Sequence, residues 1–239
     1  MTGFLQIEAV SKQFGGLKAV DAVTLAISAG ELVSIIGPNG AGKTTLFNLL
    51  TGQLAPTRGK VVFEGRDISH LAPHRRARLG FGRTFQISQT LTSMSVLENA
   101  MIGAFLHHRS LAAAADEATR ALDMVGLASR AGDRAASLTL GERRLELARA
   151  LAMQPRLLLL DEVMASLNPT EMHEIIALVQ RLNAGGLTFL VIEHNLKVVR
   201  AFSRRVIVLN RGAVLAQGSA DVVLGDPAVI EAYVGKRRA

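Results

Sequence analysis

Eight consecutive residues, Gly37-Pro38-Asn39-Gly40-Ala41-Gly42-Lys43-Thr44, combine the small residues, the cation and the hydroxyl needed to hold a chain of phosphates. The run reads G-x-x-x-x-G-K-T. Glycines let the backbone wrap an anion closely, and successive N–H groups at the start of a helix point at it. Lys43 is expected to reach the β- and γ-phosphates, and the Thr44 hydroxyl to ligate Mg²⁺. With Thr45 included, residues Gly37, Pro38, Asn39, Gly40, Ala41, Gly42, Lys43, Thr44 and Thr45 form the candidate nucleotide-binding set. The flanks suit this reading. The apolar run Leu32 to Ile36 predicts a buried strand, and Thr44 to Leu50 predicts a helix.

A second constellation lies at Leu157-Leu158-Leu159-Leu160-Asp161-Glu162. A fully buried strand there puts Asp161 at its carboxyl end, where ligands of open α/β sheets sit. Asp161 is expected to hold Mg²⁺ opposite Thr44, and Glu162 to polarise the attacking water as a general base. His194 closes another apolar run, Val191-Ile192-Glu193, and can lie beside the γ-phosphate if neighbouring strands end on one side. Gln86 ends Gly82-Arg83-Thr84-Phe85-Gln86 at a change of pattern. It is either a contact to Mg²⁺ or water that couples chemistry to movement, or a solvated loop amide.

The elements that must position these groups alternate along the chain. Leu5, Ile7 and Ala9, then Val20, Val23, Leu25 and Ile27, predict an antiparallel strand pair. Lys60 to Phe63 predicts a further strand, turned by Glu64 to Asp67. From Ser95 to about Leu151 the pattern is helical and rich in Ala and Leu. Thr170 to Asn183 predicts a helix. Thr188 to Ile192 and Val206 to Leu209 predict strands around a helix from Asn195, and Val214 to Ala216 predicts a last hairpin strand. The fold class is therefore α/β, a mostly parallel central sheet with an antiparallel β subdomain and an inserted helical lobe. One ATPase domain is expected over residues 1–239, with a nucleotide-binding core at about 1–86 and 152–239 and the lobe at about 87–151.

Composition narrows the chemistry. With no cysteine in 239 residues, disulfides and thiolate-bound zinc are excluded. No apolar run approaches the ~20 residues that span a bilayer, and no signal peptide is evident at Met1. The net charge of +7 permits an anionic membrane face or nucleic acid. Aromatic residues are only 4% and are not interleaved with the basic ones, so stacking platforms are not evident and nucleic acid is not expected as a partner.

Taken together, these residues resemble the ATP-binding cassette family over nearly the whole chain, and the resemblance implies its P-loop fold. The family's L-S-G-G-Q signature is matched by Leu138-Thr139-Leu140-Gly141-Glu142, ahead of Arg143 to Leu151. The resemblance implies that Thr139, Leu140, Gly141 and Glu142 bind the ATP held by an opposite subunit, so a second cassette is required. It also implies that Phe14 stacks on adenine, the other reading being a core or turn phenylalanine, and that Ala165-Ser166-Leu167-Asn168 crosses the dimer interface. Gln86 and His194 match the lobe-joint glutamine and the switch histidine. Leu140 and Glu142 depart from the signature, Val163 stands where proline is usual, and Asn168 replaces an aspartate.

More narrowly, the chain is similar to the ATP-binding subunits of branched-chain amino acid importers. The stretches that carry this are Phe14 to Val20, Arg83 to Gln86, Leu145 to Ala150, Gly186 to His194 and Val229 to Gly235. The resemblance implies ATP and Mg²⁺ as ligands, two permease subunits, a substrate-binding protein reached indirectly, and a peripheral place on the cytoplasmic face of the cell membrane. Related cassettes serve urea and short amides. The competing readings are an exporter cassette of the lipopolysaccharide type and a cassette ATPase acting on nucleic acid or the ribosome. For an importer, Met94, Val96, Leu97 and Met101 offer apolar anchors for a short partner helix or, alternatively, lobe core.

Overall fold

The computed structural model describes residues 3–84, 90–138, 141–165 and 167–234. The chain begins with β1 (Leu5–Phe14), β2 (Leu17–Ile27), β3 (Leu32–Ile36), α1 (Lys43–Thr51), β4 (Arg58–Phe63), β5 (Arg66–Asp67), α2 (Pro73–Arg78) and β6 (Phe81–Arg83). It continues with α3 (Val96–Ala104), α4 (Leu111–Met124), α5 (Glu142–Leu151), β7 (Leu157–Asp161), α6 (Pro169–Ala184), β8 (Thr188–Ile192) and α7 (Leu196–Phe202). The last elements are β9 (Arg205–Asn210), β10 (Ala213–Gly218), α8 (Ala220–Leu224) and α9 (Pro227–Val234). These fall into two compact units, Met1–Arg76 with Asn183–Ala239, and Ala77–Leu182.

In the first unit β3 lies between β8 and β9 and is parallel to both, and β10 pairs antiparallel with β9. Every residue of β3 is buried, which is why it reads as an unbroken apolar run rather than an alternating one. The apolar residues Leu46, Phe47, Leu49 and Leu50 of α1 are fully buried, so the helix that follows the glycine-rich loop is fixed by its core face. A separate antiparallel sheet runs in the order β2-β1-β4-β5. Its strands alternate buried and accessible residues, as one covered face dictates.

The second unit pairs β6 parallel to β7 and packs α3, α4 and α5 together. The approach of α3 to α5 is close enough that a Cβ on Gly103 would lie 2.0 Å from the Arg149 carbonyl oxygen, so only glycine fits there. A capping box opens α3, with the Ser95 hydroxyl on the Glu98 amide and the Glu98 carboxylate on the Ser95 amide. The three helices fall inside the range read as an inserted lobe, 87–151. The unit extends beyond it at both ends, because β6 and β7 pair with each other and α6 is tied in through Arg144–Glu174 and the Arg181–Met124 carbonyl contact.

Candidate nucleotide-binding and hydrolysis site

The phosphate-loop residues leave the carboxyl end of β3 and enter α1. Gly37, Gly40 and Gly42 have φ of 148°, 78° and 100°, backbone that side chains resist. A Cβ on Gly37 would lie 2.1 Å from the Leu209 carbonyl oxygen and one on Gly42 would lie 2.3 Å from that of Ala19. Two glycines of the motif are thus required by packing as well as by conformation. The buried Lys43 ammonium donates to the carbonyls of Gly37 at 2.6 Å and Pro38 at 3.1 Å, closing the loop into a ring. Among the described residues no side chain caps the N-terminus of α1, and no acidic residue stands in its first turn. By contrast α3, α4 and α7 carry serine or asparagine caps. Uncapped amides, a positive helix end and a lysine are the donor set for a polyphosphate, so the residues present fit a nucleotide. Thr44 is exposed next to this end and Thr45 is half-buried. A cleft of about 590 Å³ opens on the outer side of the loop, lined by Pro38, Asn39, Gly40 and Ala41 with Arg211 and Glu231.

Strand register brings His194 to the same place. Ile35 is paired with Ile192, and the Glu193 amide donates to the Ile35 carbonyl at 3.4 Å. Glu193 and His194 therefore run level with Ile36 and Gly37, and His194 is exposed at the carboxyl end of the sheet. Asn195 turns the chain into α7, its side chain accepting from the Lys197 and Val198 amides. Phe14 ends β1 with 45% of its surface exposed, and the Lys12 ammonium lies 5.2 Å from its ring centre. It is not a core residue; a phenylalanine at a turn and one that stacks on adenine both fit this exposure.

The acidic turn belongs to the second unit. Asp161 is buried at the end of β7, and its Oδ2 accepts from Arg83 Nη2 at 2.8 Å. Glu162 follows with φ of 51°, an αL conformation rare for glutamate. Its carbonyl accepts from the Ala165 amide, which makes a tight turn over the strand end. Val163 and Met164 are buried under that turn, so the valine in place of proline serves as an apolar anchor. Asn168 Oδ1 accepts from the Glu171 amide while the Glu171 carboxylate accepts from the Asn168 amide, so this residue caps α6.

Of the signature, Gly141 is buried at the N-terminus of α5 and Glu142 is exposed in its first turn. Among the described residues no side chain caps this helix. Thr139, Leu140, Ser166 and Gln86 lie outside the described residues. Sequence reasoning missed Arg83 as a partner of Asp161, and also Arg76, which is fully buried beneath α1. Arg83 is the single arginine of a three-residue strand and Arg76 is one of three arginines in a six-residue helix, and no periodicity distinguishes either. Among the described residues no helix is long and apolar enough to cross a membrane.

Residues 20–165 match the family model described as ABC transporter. The high-affinity branched-chain amino acid transport ATP-binding protein BraF of Pseudomonas aeruginosa is 39% identical over 97% of this chain and 98% of its own length. The crystal structure of the ADP conformation of MJ1267, an ATP-binding cassette of an ABC transporter, is similar with a TM-score of 0.90 at 34% identity, over 99% of this chain and 100% of that one. The dimeric post-hydrolysis state of the ATP-binding cassette MJ0796 bound to ADP and Pi gives a TM-score of 0.80 at 28% identity, over 90% of this chain and 98% of that one.

Proposed function

The chain belongs to the ATP-binding cassette family of transporter ATPases, and from that premise we propose that it is the ATP-hydrolysing subunit of a membrane importer. The cargo in this reading is branched-chain amino acids or a related small polar solute such as urea or a short amide. The observation that carries the chemistry is the ring closed by Lys43 at the uncapped end of α1, with His194 level with its first glycine. Lys43 and the loop amides of Gly37 and of Asn39 to Thr45 bind the phosphates, with Pro38 lining the loop. Phe14 receives the adenine on its exposed face.

The exposed Thr44 hydroxyl and the Asp161 carboxylate are oxygen donors of the kind Mg²⁺ takes, so the residues fit that ion. When bound, it neutralises charge developing on the phosphates. Glu162 orients and deprotonates the attacking water, His194 hydrogen-bonds the γ-phosphate and that water, and Gln86 contacts metal or water. Thr139, Leu140, Gly141 and Glu142 serve the nucleotide of a second cassette, identical or different.

The remaining partners in this reading are two permease subunits, with a substrate-binding protein reached only through them. The protein then sits peripherally on the cytoplasmic face of the cell membrane. Support for a docking site comes from α3. Val96 belongs to the core, Met94, Leu97 and Met101 are half-buried, and Ile102 and Phe105 are exposed at 42% and 45%. An apolar helix face of this kind suits a short partner helix. The test is uptake in a strain lacking this gene alone. Radiolabelled leucine, isoleucine and valine should enter only when the wild-type chain is restored, and a Glu162→Gln chain should not restore uptake. Undiminished uptake without the chain overturns the cargo assignment.

A further inference from the structure

Arg83 is the last residue of β6 and stands level with Leu159 of β7. From there its guanidinium reaches along the neighbouring strand to Asp161, Nη2 to Oδ2 at 2.8 Å, with only 10% and 6% of the two side chains exposed. The contact is one nitrogen to one oxygen rather than a two-pronged fork. Resting on the reading of Asp161 as the metal carboxylate, we propose that Arg83 is its resident counter-ion, holding Asp161 while the cation is away and competing with the cation for it.

Burial makes the pairing matter. A buried carboxylate stripped of its partner is strongly destabilising, so a metal-free chain needs a positive group against Asp161. A divalent ion taking the same carboxylate meets that guanidinium as a like charge in a low-dielectric surrounding. Affinity for the metal is then the difference between two attractions, not the strength of one. The consequence is weak metal binding by the chain alone. Loading goes together with nucleotide, whose phosphates supply further negative charge. A clamp whose only work is to tie β6 to β7 makes the opposite forecast. Its loss lets Asp161 wander and weakens metal binding.

The probe is Mn²⁺, titrated into the ADP complex and followed by electron paramagnetic resonance. Arg83→Gln should bind Mn²⁺ at least about fivefold more tightly than wild type, because the competing charge is gone. Its affinity for ADP in EDTA, measured by calorimetry, should be unchanged. Arg83→Lys, which keeps a cation, should stay within about twofold of wild type for Mn²⁺. Equal or weaker Mn²⁺ binding by Arg83→Gln overturns the proposal. Should that variant not fold, the wild-type chain with ¹⁵N-labelled arginine still decides, using Arg83→Lys to assign the Arg83 Nε–H signal. Mg²⁺ with ADP should shift this signal and ADP in EDTA should not; a signal indifferent to Mg²⁺ overturns the proposal. Asp161→Asn separates the two layers. Mn²⁺ affinity unchanged by Asp161→Asn sinks the metal assignment and this inference together. If Asp161→Asn loses Mn²⁺ while Arg83→Gln leaves it unaltered, only the counter-ion role is lost.

Discussion

Glu162 occupies a backbone conformation that costs a non-glycine residue on the order of 1–3 kcal/mol. Such a cost persists where a neighbouring requirement outweighs it, and here the turn also sets Val163 and Met164 into the core. Glu162→Gln keeps both the turn and the shape of the side chain but removes the carboxylate proposed as the base. ATP binding should be retained while phosphate release in a single turnover slows by roughly 10²- to 10⁴-fold. Wild-type turnover in that variant removes Glu162 from its role. Glu162→Gly should also abolish hydrolysis, yet its thermal midpoint should equal or slightly exceed that of wild type, because the strain is relieved. A clear drop in the midpoint would mean that the side chain has a structural duty as well. Lys43 presents a different case, since its ammonium already bonds two loop carbonyls. Lys43→Ala should lower ADP affinity in calorimetry by at least about tenfold, the order expected for lost charged hydrogen bonds. An unchanged affinity contradicts the assignment of the loop.

At the scale of elements, α1 is anchored at both ends by devices of opposite visibility. Its N-terminus is written in the glycine–lysine–threonine pattern and was legible from sequence. Its C-terminus is held by Arg76, whose guanidinium donates to the carbonyls of Leu49 at 2.6 Å, Leu50 at 2.7 Å, Ser69 at 2.9 Å and Leu71 at 3.0 Å. Burial pushes its pKa down to about 10, still far above neutrality, so the charge and its bonds persist through the physiological range. Arg76→Met should destabilise the chain by roughly 2–4 kcal/mol in denaturant unfolding, from helix-end carbonyls left without donors. Arg76→Lys, unable to fork, should recover only part of that. Nothing in the sequence marks Arg76, because its partners come from separate elements and none is a side chain. The strands β3, β7 and β8 were legible for the contrary reason. Each is a run of uniformly buried residues, a signal that survives without knowledge of its neighbours. Arg83 fails that test, since β6 has three residues and its partner lies 78 positions away. In α3 the helical phase hides Ile102 and Phe105, the exposed apolar residues, behind the more obvious Val96.

The α-helical part carries its own pH dependence. On α4, burial raises the pKa of Glu117, but donation from Arg120 at 2.5 Å and Gln154 at 2.8 Å, with His108 nearby, outweighs this and lowers it below the ordinary glutamate value. A depressed carboxylate pKa stabilises the fold above the unfolded value and loses that contribution as pH falls through the folded one. The urea midpoint should therefore decline on going from pH 7 to below about 4, and Glu117→Gln should flatten that decline. An acid limb of equal steepness in the variant would place the acid lability elsewhere. For the whole molecule, the decisive property is the proposed service of the N-terminus of α5 to the nucleotide of a second cassette. Among the described residues neither α1 nor α5 has a side-chain cap, while the similar cassette MJ0796 is known as a dimer with ADP and Pi. If each ATP is completed by the partner's Gly141 and Glu142, hydrolysis needs two chains, and specific activity must depend on concentration. Below the dimer's dissociation constant, turnover per chain should rise in proportion to chain concentration, then level off. Glu162→Gln with ATP and Mg²⁺ should shift from monomer to dimer in size-exclusion chromatography with light scattering. A turnover per chain that is high and constant down to nanomolar concentration, with no dimer in that variant, would assign the full reaction to a single chain and leave the N-terminus of α5 without a role in it.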